Sequence, residues 1–145
     1  MSVLLVSPKN KGNTYDVLSY VERNSDADLV VIDQDEKCNL KDYETIVIGS
    51  GVYGNNLHKN LREWLVQING ASFHEEVKIY SFITWIGRGK SDKTTLAKIK
   101  NLVEDKNLKL EENYKTCFGR MLNIRRRHPN EDDYKDILSW VKSIA

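Results

Sequence analysis

Short apolar runs rich in valine, isoleucine and leucine recur along the chain, and each is bounded by polar or turn-forming residues. Runs of this kind are typical of strands buried on both faces of a parallel sheet. A fifth strand is expected within Leu108–Phe118, although acidic and amide residues interrupt its apolar pattern. The other four strands are predicted at Val3–Val6, Leu29–Ile32, Thr45–Ile48 and Val77–Ile83.

Between these runs, apolar residues recur at the three-to-four spacing of amphipathic helices. The first helix is predicted to begin at an N-cap of Asn13 or Thr14 and to bury apolar side chains over residues 17–21. Asn130 suits the N-cap of the last helix, because the acidic residues that follow it complement the positive end of the helix dipole. The remaining helices are predicted at about Leu57–Ile68, Asp92–Glu104 and Glu131–Ile144.

This alternation predicts a doubly wound, three-layer α/β fold, in which helices cover both faces of a five-stranded parallel sheet. With 145 residues, we expect the strand order 2-1-3-4-5 rather than a six-stranded dinucleotide-binding arrangement. We expect residues 1–145 to form a single domain. Because ligands of such sheets bind at the carboxyl ends of the strands, the loops after strands one, three and four are the places to look for a site.

Composition argues against several classes of protein. The chain has 40% hydrophobic and 30% charged residues and a formal net charge of +1, which argues against disorder and against a strongly basic nucleic-acid binder. No apolar stretch approaches the roughly 18 residues of a membrane span, and the N-terminus lacks a basic leader. Cys38 and Cys117 lack the spacing of a disulfide framework or zinc ribbon. We therefore expect a cytoplasmic protein.

The loop after the first strand combines glycine, hydroxyl, amide and lysine residues directly before a helix. Its sequence is Ser7-Pro8-Lys9-Asn10-Lys11-Gly12-Asn13-Thr14. Gly12 lets the backbone approach a ligand closely, and the free amides of the first helical turn attract an anion. The loop has neither the Walker pattern nor G-x-G-x-x-G, which disfavours an ATPase and a nicotinamide-binding protein. The segment therefore predicts an anion-binding cradle.

This loop resembles the SPRxxGNT phosphate loop of NADPH-dependent FMN reductases and iron–sulfur flavoproteins, which are flavodoxin-like proteins. The resemblance implies that FMN is the cofactor. A cluster-bearing iron–sulfur enzyme is excluded, because the chain has only two cysteines. The residues that would hold the FMN phosphate are Ser7, Lys9, Asn10, Lys11, Gly12, Asn13 and Thr14.

The loops after the third and fourth strands extend this resemblance. Residues Gly49–Asn56 are similar to the GSPVYxGN loop that runs beside the flavin ring, although Gly51 stands where many relatives have proline. The segment Thr84–Ser91 matches the third flavin loop in position. Either Tyr53 or Trp85 is expected to stack on the ring, and a core position is the alternative for the tryptophan. The implied cofactor contacts are Ser50, Gly51, Val52, Tyr53, Gly54, Thr84, Trp85, Gly87, Arg88 and Gly89.

Other polar segments are interpreted as structural. Residues 118–120 and His128–Asp133 resemble the end of short flavodoxin-domain proteins, where HPxxED opens the last helix. His58 is expected to be a surface histidine of the second helix, and Arg125–His128 a solvated loop. The similarity to the short-chain flavodoxin family thus covers essentially the whole chain.

The resemblance implies an FMN-binding, flavodoxin-like electron-transfer protein that acts between redox protein partners. A small FMN-dependent oxidoreductase, such as a quinone or FMN reductase or a protoporphyrinogen-dehydrogenase-like enzyme, is the alternative, and a flavin-free adaptor is a third. No catalytic side chain, metal site, nucleic-acid partner or membrane span is predicted. The net charge of +1 counts against a carrier, since strongly acidic carriers steer basic partners.

Overall fold

The computed structural model describes residues 2–34, 38–120 and 127–145. Within these ranges the strands form one sheet in the order β2-β1-β3-β4-β5, and neighbouring strands are parallel throughout. The predicted five-stranded α/β fold with strand order 2-1-3-4-5 is therefore confirmed. The elements are β1 (Val3–Ser7), α1 (Asn13–Arg23), β2 (Asp28–Val31), β3 (Thr45–Gly51), α2 (Lys59–Gln67), β4 (Lys78–Trp85), α3 (Ser91–Glu104), β5 (Lys115–Phe118) and α4 (Glu131–Ile144).

The sheet separates two apolar cores, because successive side chains of a strand point to opposite faces. On one face, side chains such as Val6 and Ile48 pack against α2 and α3, where Leu61 and Ile99 are fully buried. On the other face, side chains such as Leu5, Val47 and Phe82 pack against α1 and α4. Strands buried on both sides explain the continuous apolar runs of the sequence.

The strand ends differ from the predicted ones at the edge where the site lies. The third strand continues past Ile48, because Gly51 still pairs with Thr84, and the fourth continues to Trp85, which pairs with Phe118. Residues 49–51 and 84–85 therefore belong to strands and not to loops. Glycine, serine and threonine obscure this in the sequence, since they interrupt the apolar run while the backbone ladder continues.

The second strand is shifted by one residue from its prediction, and the fifth occupies only the last part of its predicted segment. The second ends at Val31, because Ile32 begins a 3₁₀ helix that runs to residue 34. In the 108–118 segment, Leu110 forms only an isolated parallel bridge with Ile79, and regular pairing begins at Lys115. The acidic and amide residues between them explain why the pairing is discontinuous.

The predicted N-cap of the first helix is wrong, whereas that of the last is confirmed. Gly12 occupies the N-cap of α1 without a side-chain capping bond, because Asn13 and Thr14 lie inside the first turn and their side chains contact other elements. Asn130 caps α4 together with Asp133 in a reciprocal capping box.

Two further expectations concern the outside of the molecule. Among the helices that the structure describes, none is both long and apolar enough to cross a membrane. In the basic segment, Arg127 is exposed, whereas Arg125 and Arg126 lie outside the described residues.

Candidate functional site

A cavity of about 890 Å³ opens at the carboxyl ends of β1, β3 and β4. Its walls come from the loops that follow these strands and from Gly119 and Arg120 after β5. This edge, beside the point where the strand order reverses, is where open α/β sheets bind their ligands. The sequence predicted a site at the loops after strands one, three and four, and the cavity lies there.

The structure brings most of the predicted site residues to this cavity. Asn10 is exposed and Gly87 has a φ of 81°, and neither lines it. Ser50 is also absent from its walls, because its hydroxyl is used inside the protein: it accepts from the His58 amide at 2.9 Å and donates to the Gly51 carbonyl at 2.7 Å. The predicted residues that line the cavity are Ser7, Lys9, Lys11, Gly12, Asn13, Thr14, Gly51, Val52, Tyr53, Gly54, Thr84, Trp85, Arg88 and Gly89.

The start of α1 forms a backbone cradle in the wall of the cavity. Gly12 has φ of 95° and ψ of −174°, a region that is essentially restricted to glycine. Because no side chain caps this helix, the amides of its first turn remain available to a ligand and carry the positive end of the helix dipole. The Ser7 hydroxyl donates to the Lys9 carbonyl at 2.7 Å and so stabilises the loop that leads into the cradle.

Two side-chain hydrogen bonds hold the cradle against β4 and the segment after β5. The hydroxyls of Thr14 and Thr84 are hydrogen bonded at 2.9 Å in a buried position. The Asn13 side-chain amide donates to the Arg120 carbonyl at 2.9 Å, and the absence of a side chain at Gly119 makes room for it, since a Cβ there would lie 2.5 Å from the Asn13 amide nitrogen. These contacts join α1 to β4 and to the segment after β5.

Tyr53 lies at a tight turn on one side of the cavity. The backbones of Tyr53 and Asn56 exchange hydrogen bonds at 2.8 and 3.1 Å, and Gly54 turns with φ of 57°. The ring folds back over Gly51, where an added Cβ would lie 3.1 Å from the ring and its hydroxyl. This contact gives a physical reason for glycine where many relatives have proline. About half of the Tyr53 side chain, 49%, remains exposed, and the partial burial raises its pKa.

His58, expected as a surface histidine of the second helix, is partly buried in the cavity wall and stands directly before that helix. It is the N-cap of α2, and its Nδ1 accepts a hydrogen bond from the Asn60 amide at 3.0 Å. Its ring meets Tyr53 edge-on at 5.1 Å. Burial lowers the pKa of His58, and the charge of Lys9 lowers it further, while Asp33 opposes them. No sequence signal pointed to this role, because Asn56 stands directly before the predicted helix start at Leu57, whereas the helix begins at Lys59.

The sequence left two positions open for Trp85, beside a ligand or packed in the protein, and the structure combines them. Trp85 lines the cavity and also stacks on Phe118, with ring centroids 6.3 Å apart and an interplanar angle of 27°. The Phe118 ring in turn contacts His128 at 5.5 Å, whose Nδ1 lies 2.7 Å from an Asp133 carboxylate oxygen. His128 is therefore held by the capping box of α4, as expected for a structural HPxxED segment.

Two observations on the described residues concern metal binding and thiol chemistry. No group of His, Cys, Asp and Glu side chains in this part of the chain is arranged to hold a metal ion. Burial, with the nearby carboxylates Asp133 and Asp136, raises the pKa of the Cys117 thiol to about 12, so this cysteine is an unreactive core residue.

Comparison with known proteins places this geometry in a family. The family model described as a flavodoxin domain matches residues 5–128. A search of curated proteins finds no significant match.

Solved structures share the fold at low sequence identity. A flavodoxin from the domain Archaea has a TM-score of 0.70 at 15% identity, with 96% of this chain and 92% of that chain covered. Flavodoxin 1 from Bacillus cereus has a TM-score of 0.62 at 12% identity, with the same coverage of 96% and 92%. General stress protein 14 from Treponema denticola, in complex with FMN, has a TM-score of 0.63 at 14% identity over 99% and 98% of the two chains. The fold, the position of the cavity and the family match together assign this chain to the flavodoxin domain family.

Proposed function

We propose that this protein binds FMN in the cavity at the carboxyl edge of its sheet and transfers electrons between redox partner proteins. The observation that carries the proposal is the uncapped start of α1, where Gly12 adopts a conformation that is essentially restricted to glycine at the cavity wall. A helix start of this kind binds phosphate through its amides. The FMN complex of the Treponema denticola protein supports the choice of flavin.

The residues present fit a flavin mononucleotide. Backbone amides at Gly12, Asn13 and Thr14, with the ammonium groups of Lys9 and Lys11, would hold the phosphate. The ring would lie between the loop that carries Tyr53 and the end of β4 with the loop that follows it. Its neighbours would be Val52, Tyr53 and Gly54 on one side and Thr84, Trp85, Arg88 and Gly89 on the other.

When bound, FMN would supply one- and two-electron chemistry that side chains cannot perform. The chain's own residues bind it, orient it and limit the access of water. Tyr53 and Trp85 offer aromatic surfaces, whose contact with a ring is worth about 0.5–1.5 kcal/mol. His58 offers a fixed tautomer, because its Nδ1 accepts from the Asn60 amide and its proton is therefore on Nε2.

A small FMN-dependent oxidoreductase, of the quinone or FMN reductase or protoporphyrinogen-dehydrogenase-like type, is the second candidate. The size of the cavity, about 890 Å³, favours it, since small-molecule sites span roughly 300–1,000 Å³ and this one lies near the upper end. Turnover of a quinone at a rate that saturates with its concentration would support this candidate over a carrier. The cytoplasmic location stays a prediction.

Flavin titrations test the proposal. Quenching of flavin fluorescence should show tighter binding of FMN than of FAD, because the cradle accepts a terminal monophosphate, and tighter binding of FMN than of riboflavin, which has no phosphate. Lys9→Gln should weaken FMN binding roughly tenfold or more, since a charged hydrogen bond contributes about 1.5–3 kcal/mol. Gly12→Val should weaken it as well, because valine rarely adopts the φ of 95° that the cradle requires. Riboflavin is the matched control, because its affinity should stay unchanged in Lys9→Gln. Equal affinity for FMN and FAD would contradict the monophosphate site.

A further inference from the structure

Among the described residues that line the cavity, the charged side chains are all basic, and the acidic Asp33 acts on one part of the wall, at His58. Five cationic side chains line the cavity, namely Lys9, Lys11, Arg88, Lys90 and Arg120, and the described lining residues include no Asp or Glu. None of the five takes part in the ion pairs formed within the described part of the chain. The whole protein has 22 basic and 21 acidic residues. The positive charge of the cavity therefore comes from where the basic residues are placed and not from an excess of them.

The proposed cofactor accounts for only part of this charge. A phosphate monoester carries about −1.5 to −2 at neutral pH. Lys9 and Lys11, on the loop before the cradle, are enough to balance it. Arg88, Lys90 and Arg120 follow β4 and β5 on other walls of the cavity. Lys90 and Arg120 therefore remain outside the proposed FMN contacts, and Arg88, although beside the proposed ring position, is exposed at the same edge.

The exposure of these three side chains indicates what kind of ligand they serve. Arg88, Lys90 and Arg120 are all exposed, so water screens them and each contributes little to tight binding. Exposed charges of one sign around a site instead accelerate the approach of a partner that carries the opposite charge. A broad rim of exposed cations suits the surface of another protein better than a small molecule that must be held tightly.

We propose that the redox partner of this protein docks over the mouth of the cavity with an acidic, carboxylate-bearing surface. This inference rests on the proposed function. It reverses the polarity of strongly acidic carriers, which attract basic partners. The rim formed by Arg88, Lys90 and Arg120 steers the partner, and the first loop is left to the cofactor.

Electron-transfer rates at varied ionic strength test this docking polarity. The FMN-loaded, fully reduced protein is mixed with acidic cytochrome b5 or with basic cytochrome c in a stopped-flow instrument. Each haem accepts one electron, so two are reduced per flavin, and the protons released go to the buffer. The rate with cytochrome b5 should fall roughly tenfold between 0.01 and 0.3 M ionic strength, where the screening length shortens from about 30 Å to below 8 Å. The rate with cytochrome c should stay level or rise.

Variants that remove charge test whether the rim causes the salt dependence of the rate. Lys90→Gln/Arg120→Gln removes two rim charges that lie outside the proposed FMN contacts, and it should flatten the salt dependence with cytochrome b5. Lys98→Gln/Lys142→Gln removes the same charge from exposed positions on α3 and α4 and should leave that dependence as in the wild type. Equal salt dependence in the two variants would overturn the inference.

A small anionic oxidant tests the alternative that the rim serves a small substrate and not a partner protein. Ferricyanide also accepts one electron per ion. If its rate shows the rim-dependent fall with salt while cytochrome b5 shows none, the rim serves a small anionic substrate and the docking proposal is wrong. If no FMN binds in the titrations, the proposed function fails, and this inference fails with it. If FMN binds and no oxidant responds to salt, only the inference fails.

Discussion

At the scale of single residues, two hydroxyl groups of the site stabilise the protein as well as having a proposed binding role. Thr14 and Thr84 share a hydrogen bond of 2.9 Å in a buried position, and Thr84 is only 4% exposed. Either hydroxyl can be the donor. If Thr84 donates to Thr14, the Thr14 proton is left free to point at an anion in the cradle. In that arrangement Thr84 would orient Thr14 and act as a positioning residue.

The first prediction concerns this pair. Thr14→Val should lower the free energy of unfolding of the cofactor-free protein by about 1–3 kcal/mol, because it leaves the Thr84 hydroxyl buried and unpaired. Thr14→Val/Thr84→Val should recover part of that loss, since both polar groups are then gone. Urea denaturation of the single and double variants measures this. Strictly additive losses would mean that the two hydroxyls are not coupled.

A second prediction at this scale concerns Tyr53 and Trp85. An electron-rich ring that stacks on FMN disfavours its fully reduced, anionic form. Replacing that ring by leucine should raise the potential of the second one-electron reduction by about 40 mV, which corresponds to about 1 kcal/mol. We expect the larger shift in Tyr53→Leu, because Trp85 already stacks on Phe118. Potentiometry of both variants checks this, and unchanged potentials with FMN still bound would show that both rings are structural.

At the scale of elements, the first turn of α2 connects two loops of the site. The Ser50 hydroxyl at the end of β3 accepts from the His58 amide. His58 caps the helix through the Asn60 amide, and the Asn60 side chain donates to the Pro8 carbonyl at 3.0 Å. The loop that leads into the cradle and the loop that carries Tyr53 are therefore held by the same helix start.

The third prediction is a pH dependence of stability through His58. Its pKa in the folded protein is below the usual 6.5 of the unfolded chain, because burial and then Lys9 disfavour the imidazolium while Asp33 favours it weakly. Between these two pKa values the unfolded chain binds more protons, so stability rises with pH there. The contribution of His58 is complete above pH 6.5 and is lost as the pH falls through its folded pKa. Protonation also removes the Nδ1 acceptor that caps α2.

His58→Asn provides the matched control, since asparagine caps helices and does not titrate. At pH 7.5 the two proteins should differ by no more than about 1 kcal/mol in the free energy of unfolding. Between pH 7.5 and 5.0 the wild type should lose more stability than the variant. Equal losses in urea denaturation would show that His58 does not titrate in this window.

How far the elements could be predicted depends on what ends them. The last helix was predicted with its observed bounds, Glu131–Ile144, because Asn130 and the acidic residues after it mark a helix start locally. β3 and β4 were predicted too short, because their last residues are held by strand pairing such as Gly51 with Thr84 and not by apolar periodicity. Long-range pairing is invisible to a local pattern.

At the scale of the whole molecule, stability comes from the two cores on either side of the sheet. Phe82 is fully buried in the core beneath α1 and α4. Phe82→Ala should cost about 3–5 kcal/mol, a large fraction of the 5–15 kcal/mol by which domains are usually stable. Val66, which is 51% exposed, is the control, and Val66→Ala should change stability by no more than about 0.5 kcal/mol. A small loss in Phe82→Ala by urea denaturation would contradict this assignment of the core.

The sequence by itself determined the alternation of strands and helices, the strand order and the chemical nature of the three loops, because periodicity records which side chains leave water and connection rules restrict the topology. Only the tertiary structure decided how the polar groups are divided between ligand and protein. Asn13 donates to a carbonyl 107 residues away, and Thr14 meets a hydroxyl 70 residues away. The Ser50 hydroxyl accepts a hydrogen bond at the start of α2, and His58 lies in the cavity wall. The clustering of five cations at one edge of a nearly neutral chain was decided in the same way, because such proximities arise only when distant segments pack together.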